Sequence, residues 1–127
     1  MSWLLLVEKH ALFREGLALL LKWRTGLDSV QSGSIAETRR ILGDAKEKPV
    51  CAVVDLDLPD GDGIELLEPL RELPVVALVS DRSLERCARA LEAGADKVLH
   101  KRESSEKIGN TVEQLVGVLR TRDFSSG

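Results

Sequence analysis

The chain has 127 residues, the length of one compact domain. Hydrophobic residues make up 43% and charged residues 31%, as in a globular domain with a buried core, and the net charge of −3 does not favour general binding to nucleic acid or to a membrane surface. Aromatic residues, at 3%, are too scarce for a base-stacking platform, and 2 cysteines are too few for a disulfide scaffold, so we expect a reduced, cytoplasmic protein. No apolar run approaches the ~18 residues of a membrane span.

The first part of the chain alternates apolar runs with helical patterns. Trp3–Val7 is a continuous apolar run that ends in charge, as expected of a strand buried on both faces. Leucines recur at helical spacing over Ala11–Trp23, and Gly26 follows as a stop signal. Leu27–Ser32 is a second candidate strand. The next helix begins at a capping box, Ser34–Glu37, and Pro49 ends that segment.

The second part continues the same alternation. Val50–Val54 is a buried strand that stops at Asp55, and the segment DLDLPDGDG after it is rich in turn residues. Asp62 can cap a short helix, which Pro69 should kink or shorten. The remaining predicted elements are a strand Val75–Val79, a helix from Leu84 closed by Gly94, a strand Lys97–His100, and an amphipathic helix carrying Ile108, Val112 and Leu115.

A strand followed by a helix, five times over, predicts βαβ units, a parallel sheet and right-handed crossovers. We therefore predict one α/β domain over residues 1–120, followed by a polar, disordered tail over 121–127. The chain is either a stand-alone domain or a fragment of a longer protein.

Ionisable and hydroxyl side chains follow the predicted strands. Glu8 and Lys9 come after the first strand, Asp55 after the third, Ser80 after the fourth and Lys101 after the fifth. In an open α/β sheet, ligands bind beyond the carboxyl ends of the strands, so these residues should converge. An aspartate nucleophile, a hydroxyl, an ammonium and acids that can hold Mg²⁺ suit the transfer of a phosphoryl group.

Over essentially its whole length the chain resembles the receiver domains of two-component response regulators. The resemblance rests on the first strand and helix, LLVEKHALFREGL; on VVDLDLPDGDG, with Pro59 and Gly63 four and eight residues after Asp55; on Ser80; and on AGADKVLHK, which ends in Lys101. It implies a flavodoxin-like (βα)5 three-layer sandwich with a five-stranded parallel sheet in the order 2-1-3-4-5.

The resemblance also implies residue roles. Asp55 would be the phosphoacceptor of a partner histidine kinase, Ser80 the switch hydroxyl that moves on activation, and Lys101 the phosphoryl-binding ammonium. Mg²⁺ would be held by Glu8, Asp55 and the backbone carbonyl of Asp57. Such a domain is a signalling module rather than an enzyme with its own substrate.

Three positions depart from the family pattern. Lys9 stands where the family has a second acid, so we expect Mg²⁺ binding to be weak or absent, and we predict that Lys9 pairs with Asp55 as a cation substitute for the metal. This favours an alternative hypothesis, a degenerate receiver that binds a partner without phosphotransfer. Val98 stands at the aromatic switch position, and Arg102 stands where many receivers have proline.

Other interpretations have less support. Asp55-Leu-Asp57 also matches the Asp-x-Asp nucleophile motif of haloacid-dehalogenase-type phosphatases, but there it follows an early strand in a longer chain. No phosphate loop of the flavodoxin type follows the first strand. His10 and His100 lack metal-ligand spacing and are expected to be solvated or locally bonded.

A partner-binding face is predicted on the fourth helix, fifth strand and fifth helix, where receivers commonly signal. It would form a weak homodimer through mixed charges, and no direct nucleic-acid contact is expected. The residues are Arg82, Arg86, Arg89, Glu92, Asp96, Lys97 and Glu106.

Overall fold

The fold is a parallel sheet covered by helices on both faces. The computed structural model describes residues 2–81 and 83–126, with the backbone alone over 118–126. The strands are β1 (Trp3–Val7), β2 (Asp28–Ser32), β3 (Cys51–Asp55), β4 (Asp57–Leu58), β5 (Gly61–Asp62), β6 (Val75–Val79) and β7 (Lys97–His100). The α-helices are α1 (Ala11–Thr25), α2 (Ile35–Asp44), α3 (Leu84–Glu92) and α4 (Ser105–Ser126).

The main sheet has five strands in the order β2-β1-β3-β6-β7, and all neighbouring strands are parallel. Because β4 and β5 form a separate two-stranded hairpin, this order is the predicted 2-1-3-4-5, which is confirmed. The register pairs Val7 with Val54, Asp55 with Leu78 and Val79 with His100. The strands therefore end at one common edge.

Two hydrophobic layers follow from the alternation of side chains along the buried strands. On one face of the sheet, Leu5 and Val54 belong to a core closed by α2, α3 and the segment between β5 and β6. On the other face, Leu6 and Val53 pack in a core closed by α1 and α4. The three-layer arrangement implied by the resemblance to receiver domains is confirmed.

The helix termini follow the sequence signals. Gly26 ends α1 in the left-handed conformation, with φ of 74°, and its N–H donates to the Lys22 carbonyl. Ser34 caps α2, its hydroxyl accepting the Glu37 N–H at 3.1 Å.

The prediction of a helix after Asp62 is wrong in its type, because the segment does not form an α-helix. Gly63–Leu66 is a single 3-10 turn capped by Asp62, whose carboxylate accepts the Ile64 N–H at 3.0 Å, and turns follow it. Pro69 lies within those turns, and it can donate no backbone hydrogen bond to continue a helix. The described residues therefore contain four α-helices rather than five.

The backbone of α4 continues through Ser126, into the stretch predicted as a disordered tail, and residue 127 lies outside the described residues. The domain boundary at residue 120 stays a prediction. No helix among residues 2–81 and 83–126 is long and apolar enough to cross a membrane.

A carboxylate of the loop after β3 fixes α2. Asp60 accepts the N–H groups of Ile35 and Ala36 at 2.8 and 3.0 Å, at the positive end of the helix dipole. These backbone hydrogen bonds hold the pKa of Asp60 below its ordinary value. The loop that carries the site residues is thereby attached to the helix beside it.

We expect Asp60→Asn to lower the midpoint of thermal unfolding at pH 7. A depressed pKa means that the stabilisation is complete above the ordinary value of about 3.9 and is lost as the pH falls through the lower folded-state value. The difference from wild type should therefore close in strong acid. Asp44→Asn, at the other end of α2, is the matched control and should not destabilise the protein. A difference that does not change with pH would contradict this role.

Candidate functional site

Two buried carboxylates and one ammonium meet at the carboxyl edge of the sheet. Glu8 follows β1, Asp55 ends β3, and both are 0% exposed. Lys101, which follows β7, places its Nζ 3.0 Å from Glu8 Oε1 and 2.9 Å from Asp55 Oδ2. Its own side chain is 13% exposed. The structure thus brings together three of the predicted site residues, although they come from three different strands.

Glu8 has further contacts on one of its two oxygens. Glu8 Oε1 accepts the His10 N–H at 3.0 Å and lies 3.1 Å from His10 Nδ1. Glu8 Oε2 is buried and has no hydrogen-bond partner among the described residues. A buried carboxylate oxygen without a hydrogen-bond partner is costly, so this atom is suited to binding a ligand.

The Asp55 carboxylate is held from two sides. Oδ1 accepts the Asp57 N–H at 2.9 Å, while Oδ2 faces Lys101 and lies 3.5 Å from the Lys9 backbone nitrogen. Gly63 packs against this strand end, where an added Cβ would lie 2.3 Å from the Asp55 carbonyl oxygen. Only glycine fits there, which explains a glycine eight residues after Asp55.

The predicted pairing of Lys9 with Asp55 is wrong. The Lys9 side chain is exposed, and its ammonium makes no ion pair within residues 2–81 and 83–126. Glu8, which directly follows β1, is fully buried, whereas the Lys9 side chain lies in solvent. The cation that contacts Asp55 is Lys101.

Ser80 lies in a second cluster with Asp57 and Arg86. The Ser80 hydroxyl donates to Asp57 Oδ2, and the Ser80 N–H donates to the same oxygen at 3.3 Å. Arg86, on the first turn of α3, places Nη1 2.6 Å from Asp57 Oδ1 and donates from Nη2 to the Leu56 carbonyl at 2.9 Å. Ser80 therefore binds Asp57 rather than Asp55.

These contacts shift the pKa values of the site residues. Burial acts most strongly on Lys101 and opposes its charge, but the hydrogen bonds and charges of Asp55 and Glu8 outweigh it and raise the pKa of the ammonium. Burial likewise opposes ionisation of Asp57, but the Ser80 hydroxyl and the Arg86 guanidinium outweigh it and lower the pKa of that carboxyl. For Arg86, burial opposes the charge, but the hydrogen bond and negative charge of Asp57 outweigh it and raise the pKa of the guanidinium. Lys101, Asp57 and Arg86 are therefore charged at neutral pH.

The donor set fits a divalent cation. Glu8, Asp55 and Lys101 together carry one net negative charge, and the unpartnered Glu8 Oε2 offers a free hard ligand. The residues that would hold the ion are Glu8, Asp55 and the Asp57 carbonyl. The described part of the chain contains no cluster of three histidine, cysteine, aspartate or glutamate side chains that could hold a metal ion.

Arg86 and the side chain of Asp57 are site residues that the sequence analysis missed. Arg86 was assigned to an exposed charged face, but its side chain is only 15% exposed. Two signals were available in the sequence. One is the second acid of the pair Asp55 and Asp57, and the other is an arginine in the first turn of α3. His10 and His100 are locally bonded as predicted, the latter accepting the Arg102 N–H at 2.9 Å.

We expect Lys101→Met to destabilise the domain by about 3 kcal/mol at pH 7, because it leaves two buried carboxylates without their cation. Since the pKa of Lys101 is raised, its stabilisation is complete below the ordinary value of about 10.4 and is lost as the pH rises past the higher folded-state value. The difference in free energy of unfolding should therefore shrink only above that pH. Lys107→Met, which removes an exposed lysine, is the control and should cost under about 1 kcal/mol. Equal losses in the two variants would contradict this prediction.

Comparisons with known proteins agree with this geometry. The family model described as "Response regulator receiver domain" matches residues 4–113. The DNA-binding transcriptional activator DevR/DosR of Mycobacterium tuberculosis is 40% identical over 95 residues, which are 71% of this chain and 43% of that protein. The KDP operon transcriptional regulatory protein KdpE of Escherichia coli is 44% identical over 71 residues, which are 52% of this chain and 32% of that protein. The chain thus spans less than half the length of either relative.

Solved structures share the fold. A CheY-like response regulator receiver domain protein of Methanospirillum hungatei has a TM-score of 0.84 at 20% identity, covering 96% of this chain and 98% of that one. A response regulator of Burkholderia pseudomallei, solved with a phosphorylated aspartic acid and a calcium ion, has a TM-score of 0.75 at 27% identity, covering 85% of this chain and 64% of that one. The match of the family model to nearly the whole chain, together with the strand order, shows that this chain belongs to the response regulator receiver domains.

Proposed function

We propose that this receiver domain accepts a phosphoryl group on Asp55 from a histidine kinase and changes a partner-binding face in response. The observation that carries the proposal is the Lys101 ammonium, 2.9 Å from Asp55 Oδ2 at the edge of the sheet where ligands bind. The phosphorylated aspartate and the calcium ion in the Burkholderia pseudomallei neighbour support it.

The proposed reaction is a nucleophilic displacement at phosphorus. An Asp55 oxygen forms a bond to phosphorus, and the bond from phosphorus to the donor nitrogen breaks, with its electron pair leaving on the donor. The Asp57 N–H holds Oδ1, so Oδ2, beside Lys101, is the oxygen expected to attack. Lys101 then binds an oxygen of the transferred group.

A divalent cation held by Glu8, Asp55 and the Asp57 carbonyl would neutralise charge on the phosphoryl oxygens. Lys9 lies beside this site, and its positive charge and the missing carboxylate should both weaken cation binding. We therefore propose Mg²⁺ as a cofactor of low affinity.

A second candidate function is a phosphorylation-independent interaction module. Lys9 favours it, because a cation stands at the position of one acid of the metal site. A phosphatase has no such support, since Arg86 and Ser80 occupy the carboxylate of Asp57, the acid that such an enzyme would use. We propose a signalling domain without an external substrate.

The proposed partner face consists of α3, β7 and α4. Leu84 and Leu91, on α3, are exposed apolar side chains, 85% and 51% exposed, among the charged residues predicted for this face. Arg86 points into the site instead, and Arg82 lies outside the described residues. Each exposed ion pair contributes only about 0–1 kcal/mol, so a homodimer through this face would be weak and sensitive to salt. We propose no direct nucleic-acid contact and a cytoplasmic location.

Intact-mass measurement after treatment with a small acyl-phosphate donor tests the proposed function. Wild type should gain the mass of one phosphoryl group in the presence of Mg²⁺, and Asp55→Asn should gain none. Asp62→Asn, in the same loop, is the matched control and should still be phosphorylated. A gain that persists in Asp55→Asn would refute Asp55 as the acceptor. If wild type gains no mass, the proposed phosphorylation fails and the phosphorylation-independent interaction module is favoured.

Lys9→Asp should raise the affinity for Mg²⁺ about tenfold or more, because it removes a nearby positive charge and adds a hard oxygen ligand. Calorimetric titration of Mg²⁺ measures this change. Lys9→Met separates the two causes, since it removes the charge without adding a ligand, and should lie between wild type and Lys9→Asp. Equal affinity in all three proteins would show that Lys9 has no effect on the metal site.

A further inference from the structure

Asp57 contacts both halves of the candidate site. Its backbone N–H donates to Asp55 Oδ1 at 2.9 Å, while its side chain accepts the hydroxyl and the N–H of Ser80 through Oδ2. The acceptor aspartate and the switch hydroxyl are thus connected through one residue.

Arg86 fixes the orientation of that carboxylate. The guanidinium contacts Asp57 Oδ1 and the Leu56 carbonyl at once, and its side chain is 15% exposed. The carboxylates of Asp62 and Asp81 lie 3.6 and 3.5 Å from the Arg86 guanidinium and form further ion pairs with it. Because two anchors hold the guanidinium, Asp57 presents Oδ2 to Ser80 in one geometry.

A serine hydroxyl has a single proton to donate. As the switch hydroxyl that moves on activation, Ser80 would bind an oxygen of the phosphoryl group on Asp55. The same proton cannot be donated to Asp57 and to the phosphoryl group at once. The two acceptors therefore compete for Ser80.

We propose that Asp57, fixed by Arg86, is a positioning residue that holds Ser80 away from Asp55 and thereby weakens the binding of the phosphoryl group. The proposal rests on the proposed function. When Ser80 leaves, Asp57 loses the hydrogen bonds on its Oδ2, while its Oδ1 contacts Arg86 in the first turn of α3. The competition therefore connects Asp55 to the helix of the proposed partner face.

The first measurement is the affinity for beryllofluoride, a mimic of the phosphoryl group, at saturating Mg²⁺. Asp57→Asn should raise the affinity about tenfold, since it removes a charge-assisted hydrogen bond to Ser80. Asp62→Asn removes a negative charge beside Arg86 without contact to Ser80, and should change the affinity less than about twofold.

Ser80→Ala distinguishes this competition from a simple effect of charge. In the Ser80→Ala background, Asp57→Asn should change the affinity less than about twofold, because no hydroxyl is left to release. A tenfold gain that persists without the hydroxyl would overturn the proposal. So would an unchanged affinity in Asp57→Asn.

The second measurement needs no phosphoryl group. Ser80 is exposed, so its side chain should sample several rotamers unless Asp57 holds it. The Cα–Hα to Cβ–Hβ couplings in NMR spectra should show one rotamer in wild type and Asp62→Asn, and averaging in Asp57→Asn. Averaged couplings in wild type would overturn the proposal. If no variant binds beryllofluoride but this pattern is found, the proposed function fails and the hold of Asp57 on Ser80 stands.

Discussion

The site depends on two buried carboxylates that share one ammonium. Glu8 and Asp55 are fully buried, and Lys101 contacts both. Carboxylates removed from water are destabilising unless a cation and hydrogen bonds replace the lost solvation. The chain satisfies this requirement with residues that are far apart in sequence and adjacent only when β1, β3 and β7 end at the same edge. The parallel sheet is therefore what makes the charge arrangement possible.

The charges of this arrangement do not balance, and the imbalance bears on function. One ammonium does not neutralise two carboxylates, and Glu8 Oε2 has no partner among the described residues. Full neutralisation would stabilise the fold further but would leave nothing to attract a cation. The residual negative charge is the part of the site that an external ligand can use.

The central strands β1, β3 and β6 could be predicted from the sequence, because a strand buried on both faces is a continuous apolar run. The residues after the strands could be predicted for the same reason. The strand order needed the strand–helix alternation and the resemblance to receiver domains as well. The third helix could not, since its apolar residues suit a helix while Pro69 and a short length prevent one. The choice between Lys9 and Lys101 as the partner of Asp55 was also wrong. Lys9 was favoured because it stands where the receiver family has an acid, but its side chain lies in solvent, and Lys101 contacts Asp55 instead.

Arg86 shows a different limit of sequence reasoning. Its position on α3 suits a charged surface, and nothing in a helical pattern tells whether a long side chain extends into solvent or folds back over the sheet edge. The direction is set by Asp57 and the Leu56 carbonyl, which lie in another loop. Because the Asp57 N–H also donates to Asp55, this one residue contacts Asp55, Ser80 and Arg86 of α3. Asp55 and α3, which belong to different layers of the fold, are therefore joined through one hydrogen-bonded residue.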